Sequence, residues 1–502
     1  MNDISPRVRW AHLLTLTALV CLEYLQSVMA SFSSSYIMGG VEAAPEEFSL
    51  ASAAYAAVAV VMLFKHRVLV QRWGYRRFIR LSLLTFALGA LLTGLSDSVP
   101  TYILGRMIQA VGGSAFFTAG RVQVNHYQGP ERLMAIKRFA IGIFLGAGLA
   151  PFLASELLEA WGWRAVFLVM LPLTALVAWL VEYAMPDHEP AEHDHPGQVH
   201  AGGTLALVAG IFALQFALER VPFDMFGTAT AIWALALLAL VALGAFVWHD
   251  WSRHDGLIPY RHFVDGRFVV GMAIYFFCYL VGAVSSYITP VFMVQGLGFA
   301  VTSSGWLLSA TSLFGLVTMF IYFKCVPHHA KLKHYLWLAL GVLFLHGWWM
   351  SSMDSDVTQR DLFWPLVLNS GVFVALAQGT AALGTFRHVD EKVFSQAYQV
   401  KNAMREVANA SGVSLATVIL QMRGSLHYAR LAESTTSMSP LYGDGTVTLS
   451  TLGQPAPTEM LMRLSALITQ QATLMACLDF YWALCGVALL AAAALAWQKK
   501  FV

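Results

Sequence analysis

Charge is scarce in this sequence. Only 12% of its 502 residues are Asp, Glu, Lys or Arg, and 58% are hydrophobic, whereas a soluble domain carries about 25% charged residues. So few polar groups could not cover a globular surface, which makes lipid the expected solvent. The formal net charge of +2 is small and dispersed, which argues against nucleic acid as a partner. Cysteine is also rare: Cys21, Cys278, Cys325, Cys477 and Cys485 form no CxxC pair, so neither a disulfide framework nor a zinc site is expected. No HExxH, P-loop, nucleophile elbow or glycine-rich dinucleotide fingerprint occurs in its required context. That speaks against an enzyme, against any cofactor and against an ATP-driven pump within this chain. No sizeable polar segment offers a sensor's output domain. The first apolar run, from about Trp10, is too long for a signal peptide and has no small-residue cleavage site after it, so it reads as a retained first span.

What the sequence does have is long apolar runs. A membrane helix needs about 20 largely apolar residues. Such runs lie near 10–33, 49–70, 79–96, 100–123, 134–156, 164–184, 202–219, 228–248, 268–293, 303–324, 333–352, 362–385, 395–422 and 474–498. They predict fourteen spans. Lys and Arg accumulate in cytoplasmic loops, and with the N-terminus inside, 22 of the 31 fall in inside segments and six outside. The remaining three, Arg106, Lys401 and Arg405, fall within spans. The first outside loop carries only acids, Glu42, Glu46 and Glu47, while the inside segment 185–200 breaks the pattern by having no Lys or Arg. The expectation is a multi-pass protein of a bacterial cytoplasmic membrane with both termini cytoplasmic.

Several local patterns fall in consistent spans. Arg67, Gln71, Arg72, Gly74, Arg76 and Arg77 lie between spans two and three; Leu104, Gly105, Arg106, Gln109, Gly112 and Gly113 lie in span four. Span five holds Gly142, Gly146, Gly148 and Pro151, span one has Leu22-Glu23, and span thirteen has Asn402, Arg405, Glu406, Ser411 and Gly412. In this order they resemble the motifs of the major facilitator superfamily, and of its fourteen-span EmrB/QacA-type drug:proton antiporters. The match is partial: Gln71 stands where the family's loop motif has an acid, and Glu23 where the subfamily usually has Asp. The resemblance implies an all-α fold with a six-helix bundle over 1–184, a cytoplasmic linker over 185–200, two extra helices over 201–250 and a second bundle over 251–502. It also implies binding between the bundles at mid-depth, alternating access by rocking, and the proton motive force as energy source. In the family the loop's acid helps latch one conformation, a role Gln71 cannot fill.

Glu23 is the most informative residue. It lies about 20 Å along span one from the cytoplasmic end, at 1.5 Å per residue. An ionised carboxylate there must face the bundle interior, take a partner or bind a proton. If its surroundings change between conformations it can take up a proton on one side and release it on the other; otherwise it is a fixed polar contact. Arg106 lies within about one turn of the same depth, so the expectation is that it pairs with deprotonated Glu23 and that Gln109 joins the network. The alternative is an arginine that snorkels or bonds backbone. Gly142, Gly146 and Gly148 permit close helix approach and Pro151 favours a bend, while Arg72 and its neighbours set topology. Gln399, Asn402, Arg405, Glu406 and Asn409 form a polar stripe on span thirteen, in which Asn402 and Arg405 are candidate cavity residues or Arg405 anchors a polar bundle contact. Arg405 and Glu406 lie about 100° apart and so are expected to pair poorly. Asp479 reads as interfacial.

Tyr24, Tyr55, Phe116, Phe117, Tyr275, Tyr279, Tyr287 and Phe292 are candidate cavity residues, suited to lipophilic or metabolite substrates, although aromatics also face lipid. The segment with Asp187, Glu192, His193 and His195 has ligand types but no fixed metal spacing, and reads as a linker. The outer loop, about 424–472, has an amphipathic stretch over 458–471. It either docks a periplasmic adaptor leading to an outer-membrane channel or packs over the bundle. Proton-driven export of a lipophilic drug or a secreted metabolite is the leading expectation; proton-independent facilitation or import of a small metabolite by the same fold is the alternative, followed by a non-transporting membrane protein.

Overall fold

The structure is a computed structural model that describes residues 6–185, 201–224, 229–252, 260, 264–329, 331–386, 389–390, 393–434 and 457–500. The linker 186–200, with its His and acidic residues, and most of the outer loop lie outside the described residues. In hydrocarbon every backbone N–H and C=O must be satisfied internally, which selects helix for each apolar run. The N-terminal part comprises α1 (Pro6–Phe32), α2 (Ser34–Gly40), α3 (Pro45–Trp73), α4 (Tyr75–Gly94), α5 (Val99–Val124), α6 (Gly129–Trp161), α7 (Trp163–Leu168) and α8 (Met170–Ala184). Then come α9 (Ala201–Asp224) and α10 (Ala229–Ser252). The C-terminal part comprises α11 (Gly266–Val291), α12 (Val301–Cys325), α13 (Leu332–Ser351), α14 (Gln359–Leu366), α15 (Val374–Phe386), α16 (Phe394–Ser434) and α17 (Pro457–Trp497). A π-helical turn, Val367–Phe373, joins α14 to α15.

Eleven stretches among the described residues are long and apolar enough to cross a membrane. Three further helices of span length, α5, α13 and α16, carry more polar groups and fill the remaining expected places. Two helices run longer than the sequence suggests. α16 and α17 each have 41 residues, and the stretch 458–471 is the start of α17, because no glycine or proline interrupts the chain between Pro457 and Trp497 except Gly486.

Within the N-terminal part α1 packs on α6 and α8, and α5 on α3 and α4; in the C-terminal part α11 packs on α15 and α16, and α17 on α13 and α16. Two seams join the halves, α6 against α12 and α3 against α16. α9 lies against α3, α16 and α10, while α10 leaves Trp233, Leu240 and Trp248 exposed, as a lipid-facing helix should. Gly74 is the single residue between α3 and α4, and its φ of 76° is open to glycine but strained for other residues.

Candidate functional site

Close helix approach sets the position of α1. A Cβ on Gly142 would sit 2.5 Å from the Thr17 carbonyl, and one on Gly146 2.5 Å from that of Cys21. With no side chains there, α6 seats against α1 and turns Glu23 into the protein. Glu23 is 7% exposed. Its Oε1 accepts a 2.7 Å hydrogen bond from Nη2 of Arg405, and its Oε2 accepts a 2.6 Å bond from the backbone N–H of Phe117. Arg405 also donates to Oε1 of Glu406, at 2.7 Å from Nη2 and 3.2 Å from Nε. Its guanidinium lies 4.4 Å from the centre of the Phe117 ring. One buried guanidinium thus serves two carboxylates, and the Glu23–Arg405 bond ties α1 in the N-terminal half to α16 in the C-terminal half.

Two expectations are corrected here. Arg106 does not pair with Glu23: it donates from Nη1 to Gln109 Oε1 (2.6 Å) and Gln26 Oε1 (3.1 Å), and lies 4.3 Å over the Tyr55 ring. Depth along a helix fixes height but not direction, and α16 delivers a nearer cation. Arg405 and Glu406 do pair, because a long guanidinium side chain can fold back across the angle separating neighbouring positions.

The pair sits at one end of a cavity of about 420 Å³ between the two halves, a size within the roughly 300–1,000 Å³ of small-molecule sites. Its wall includes Glu23, Tyr24, Gln26, Tyr55, Arg106, Tyr279, Tyr287, Arg405 and Glu406, and extends to Phe32, Ser34 and Phe48, at the end of α1 away from the N-terminus. Phe116, Phe117, Tyr275, Phe292 and Asn402 are not in this wall, against expectation. Phe116 packs on Phe86 and Phe292 on Tyr481, inside their own halves.

Phe117, Tyr275 and Asn402 belong instead to a layer that closes the space on the other side of Glu23. Asn402 donates to Thr118 Oγ1 at 2.7 Å, and Phe117 stacks on Tyr398 at 6.0 Å. Arg121 lies 4.7 Å from the Phe394 ring. Lys401, 2% exposed, places its ammonium 4.1 Å from the Tyr398 ring and 4.7 Å from that of Tyr275, a favourable setting for a desolvated cation. Gln26 and this role for Lys401 are the features the sequence reading missed. Gln26 had a signal, as a polar residue three positions after Glu23 in an apolar helix.

The remaining motif residues serve the frame. Gly148 meets Leu313 of α12, and the Phe152 N–H donates to Ser309 Oγ at 2.8 Å, so the stretch around Pro151 forms the α6–α12 seam. Gly74 makes the turn before α4, and Arg72 is exposed beside it. Arg76 and Arg80 both bond Glu182 at the end of α8, which holds the N-terminal half together. Asp479 accepts from Arg423 and His427 near the far end of α16. Among the described residues no group of three or more His, Cys, Asp or Glu could hold a metal.

Comparison with known proteins agrees with this architecture. The chain is 22% identical over 444 residues to the fatty acid resistance protein FarB of Neisseria gonorrhoeae, covering 88% of this chain and 86% of FarB. It is 22% identical over 440 residues to the putative multidrug resistance protein MdtD of Enterobacter sp. (strain 638), covering 85% and 89% of the two chains. Among solved structures, a bacterial homologue of the human lysosomal transporter Spinster, inward-facing and occupied, superposes with a TM-score of 0.57 at 16% identity over 98% of both chains. A point mutant of the nucleoside transporter NupG gives 0.57 at 10% identity, covering 96% of this chain and 99% of its own. The sequence model of the Major Facilitator Superfamily matches residues 16–413, and on that match and this fold the chain is a multi-pass membrane protein that belongs to the Major Facilitator Superfamily.

Proposed function

We propose that the protein is a proton-driven exporter of lipophilic compounds, of the fourteen-span antiporter type, placed in a bacterial cytoplasmic membrane with both termini cytoplasmic. One observation carries the reading: the buried Glu23–Arg405 bond that joins the two halves at the cavity. Alternating access requires those halves to part on one side and meet on the other. Protonating Glu23 removes its charge from the bond while Arg405 keeps Glu406, so the tie between halves loosens without leaving a bare buried cation. Proton binding thereby acts on the element that must move.

With the termini cytoplasmic, the layer of Phe117, Thr118, Arg121, Tyr398 and Asn402 closes the inner side, and the cavity extends toward the outer side. That is the conformation in which an exporter discharges its cargo and loads a proton. The names of FarB and MdtD refer to fatty acid and multidrug resistance, which supports lipophilic cargo. The extended outer ends of α16 and α17 offer a surface for a periplasmic adaptor.

The test is proton release from dye-loaded inverted vesicles challenged with lipophilic cations, acids and siderophores, for wild type and Glu23→Gln. Substrate-evoked release that disappears in the variant is the expected result. Equal substrate movement through both proteins without a proton signal would instead identify a facilitator or importer.

A further inference from the structure

The charges of the cavity are unevenly spent. Both of the acids in its wall are committed to one cation: Glu23 Oε1 and Glu406 Oε1 each accept from Arg405. The second cation, Arg106, has no carboxylate partner among the described residues. Its two hydrogen bonds go to the neutral amides of Gln26 and Gln109, and both leave from Nη1. Nε and Nη2 donate to nothing among the described residues, and the side chain lines the cavity. Those two atoms present the parallel donor pair that grips a carboxylate in bidentate fashion.

The surroundings hold that fork in place. Tyr55 lies under the guanidinium at 4.3 Å and Gln26 Nε2 donates to Tyr55 Oη at 2.8 Å, so arginine, amide and phenol brace one another. The same cavity wall carries the apolar side chains of Phe32, Phe48, Phe144, Leu308 and Leu366. A hydrocarbon chain gains about 25 cal/mol per Å² buried on such a surface. We infer that Arg106 is the headgroup anchor for an amphiphilic carboxylate substrate, whose hydrocarbon tail lies along the apolar wall. The inference rests on the transport reading above and narrows it to anionic cargo. Arg106 is then a specificity residue, separate from the Glu23–Arg405 link. A lysine would keep the charge and lose the fork.

The experiment uses purified full-length protein and two probes of equal tail length, dodecanoate and dodecyltrimethylammonium, each below its micellar concentration. Arg106→Gln is expected to weaken dodecanoate binding about 10–100-fold, the range for losing a charge-assisted hydrogen bond to a charged group, and Arg106→Lys to weaken it less. Dodecyltrimethylammonium binding should change by less than about two-fold by the same measure. Wild type provides a check that needs no variant: methyl dodecanoate, which has no anionic headgroup, should compete poorly with dodecanoate. Equal weakening of both probes, full competition by the ester, or no binding of dodecanoate to wild type overturns the assignment. Proton release evoked by the cation and lost in Glu23→Gln would still stand for the transport reading, so the two can fail separately.

Discussion

Replacing Arg405 with methionine is expected to harm the protein more than replacing Glu23 with glutamine, although both changes break the same 2.7 Å bond. The difference lies in what each leaves behind. Arg405→Met strands two carboxylates, with side chains only 9% and 17% exposed. Removing one partner of a buried ion pair costs about 3–5 kcal/mol, because the other charge stays uncompensated in a poor solvent. Glu23→Gln leaves Arg405 with Glu406, and the amide oxygen can still accept from Phe117 N–H. Its loss is confined to one charge-assisted bond, about 1.5–3 kcal/mol. In the double variant one of the stranded carboxylates is gone, so it should be more stable than the sum of the single losses by more than the Glu23→Gln loss itself, about 2–3 kcal/mol, the upper range for groups in contact. A membrane protein of this size unfolds irreversibly, so the assay is the rate of inactivation of the four proteins at one temperature in one detergent. Stability should fall in the order wild type, Glu23→Gln, double variant, Arg405→Met. Additive losses would refute the reasoning, as would a Glu23→Gln protein as fragile as Arg405→Met.

The packing of α1 makes a second prediction. Gly146→Ala forces a Cβ to 2.5 Å from the Cys21 carbonyl and 2.9 Å from Tyr24 Cβ, an overpacking that costs about 1–3 kcal/mol; thermal stability and transport should both fall. Gly244→Ala is its control: nothing lies within 4 Å of the added carbon in the helix interior, so stability should rise by about 0.5–1 kcal/mol. The closing layer predicts direction of access. A membrane-impermeant thiol reagent should reach a cysteine placed at Ser27, in the cavity wall, from the side opposite the termini. Removing the 2.7 Å Asn402–Thr118 bond and the Arg121–Phe394 contact together, in Asn402→Ala/Arg121→Gln, should admit the reagent from the terminus side as well; unchanged labelling of the double variant would mean those contacts do not close the passage. Asp479→Asn should lower stability by no more than about 1 kcal/mol, since its pair with Arg423 is 32% and 43% exposed.

The span pattern is legible in this sequence because the bilayer imposes one dominant requirement, a length of apolar helix, on each crossing. That is why even the short candidates near 79–96 and 202–219 correspond to helices, Tyr75–Gly94 and Ala201–Asp224. The exceptions obey the same physics. α5 and α16 are less apolar because they carry the polar groups of the site, including Arg106 and Gln109 on one and Lys401, Asn402, Arg405 and Glu406 on the other. In α5 and α16 reduced hydropathy therefore marks where the cavity and its closing layer are built, whereas α13, the third less apolar helix, has no residue in the cavity wall.

Partnership within the site was less legible, for a geometric reason. Residue number gives depth along a helix at about 1.5 Å per residue, and by depth Arg106 and Glu23 belong together. Which way each side chain points depends on how the helix is rotated against its neighbours, and that is set by small residues elsewhere in the chain. Gly142 and Gly146 rotate and seat α1 through contacts with Thr17 and Cys21, which gives Glu23 to α16 and leaves Gln26, one turn later, to Arg106. The same reasoning explains why adjacent Phe116 and Phe117 part company. Phe116 faces the interior of its own half against Phe86, while Phe117 stacks on Tyr398 across the interface and offers its N–H to Glu23. The glycines of span five thus have a consequence beyond close packing: by fixing the rotation of α1, they decide which arginine holds the buried carboxylate and which faces the cavity with no carboxylate partner among the described residues.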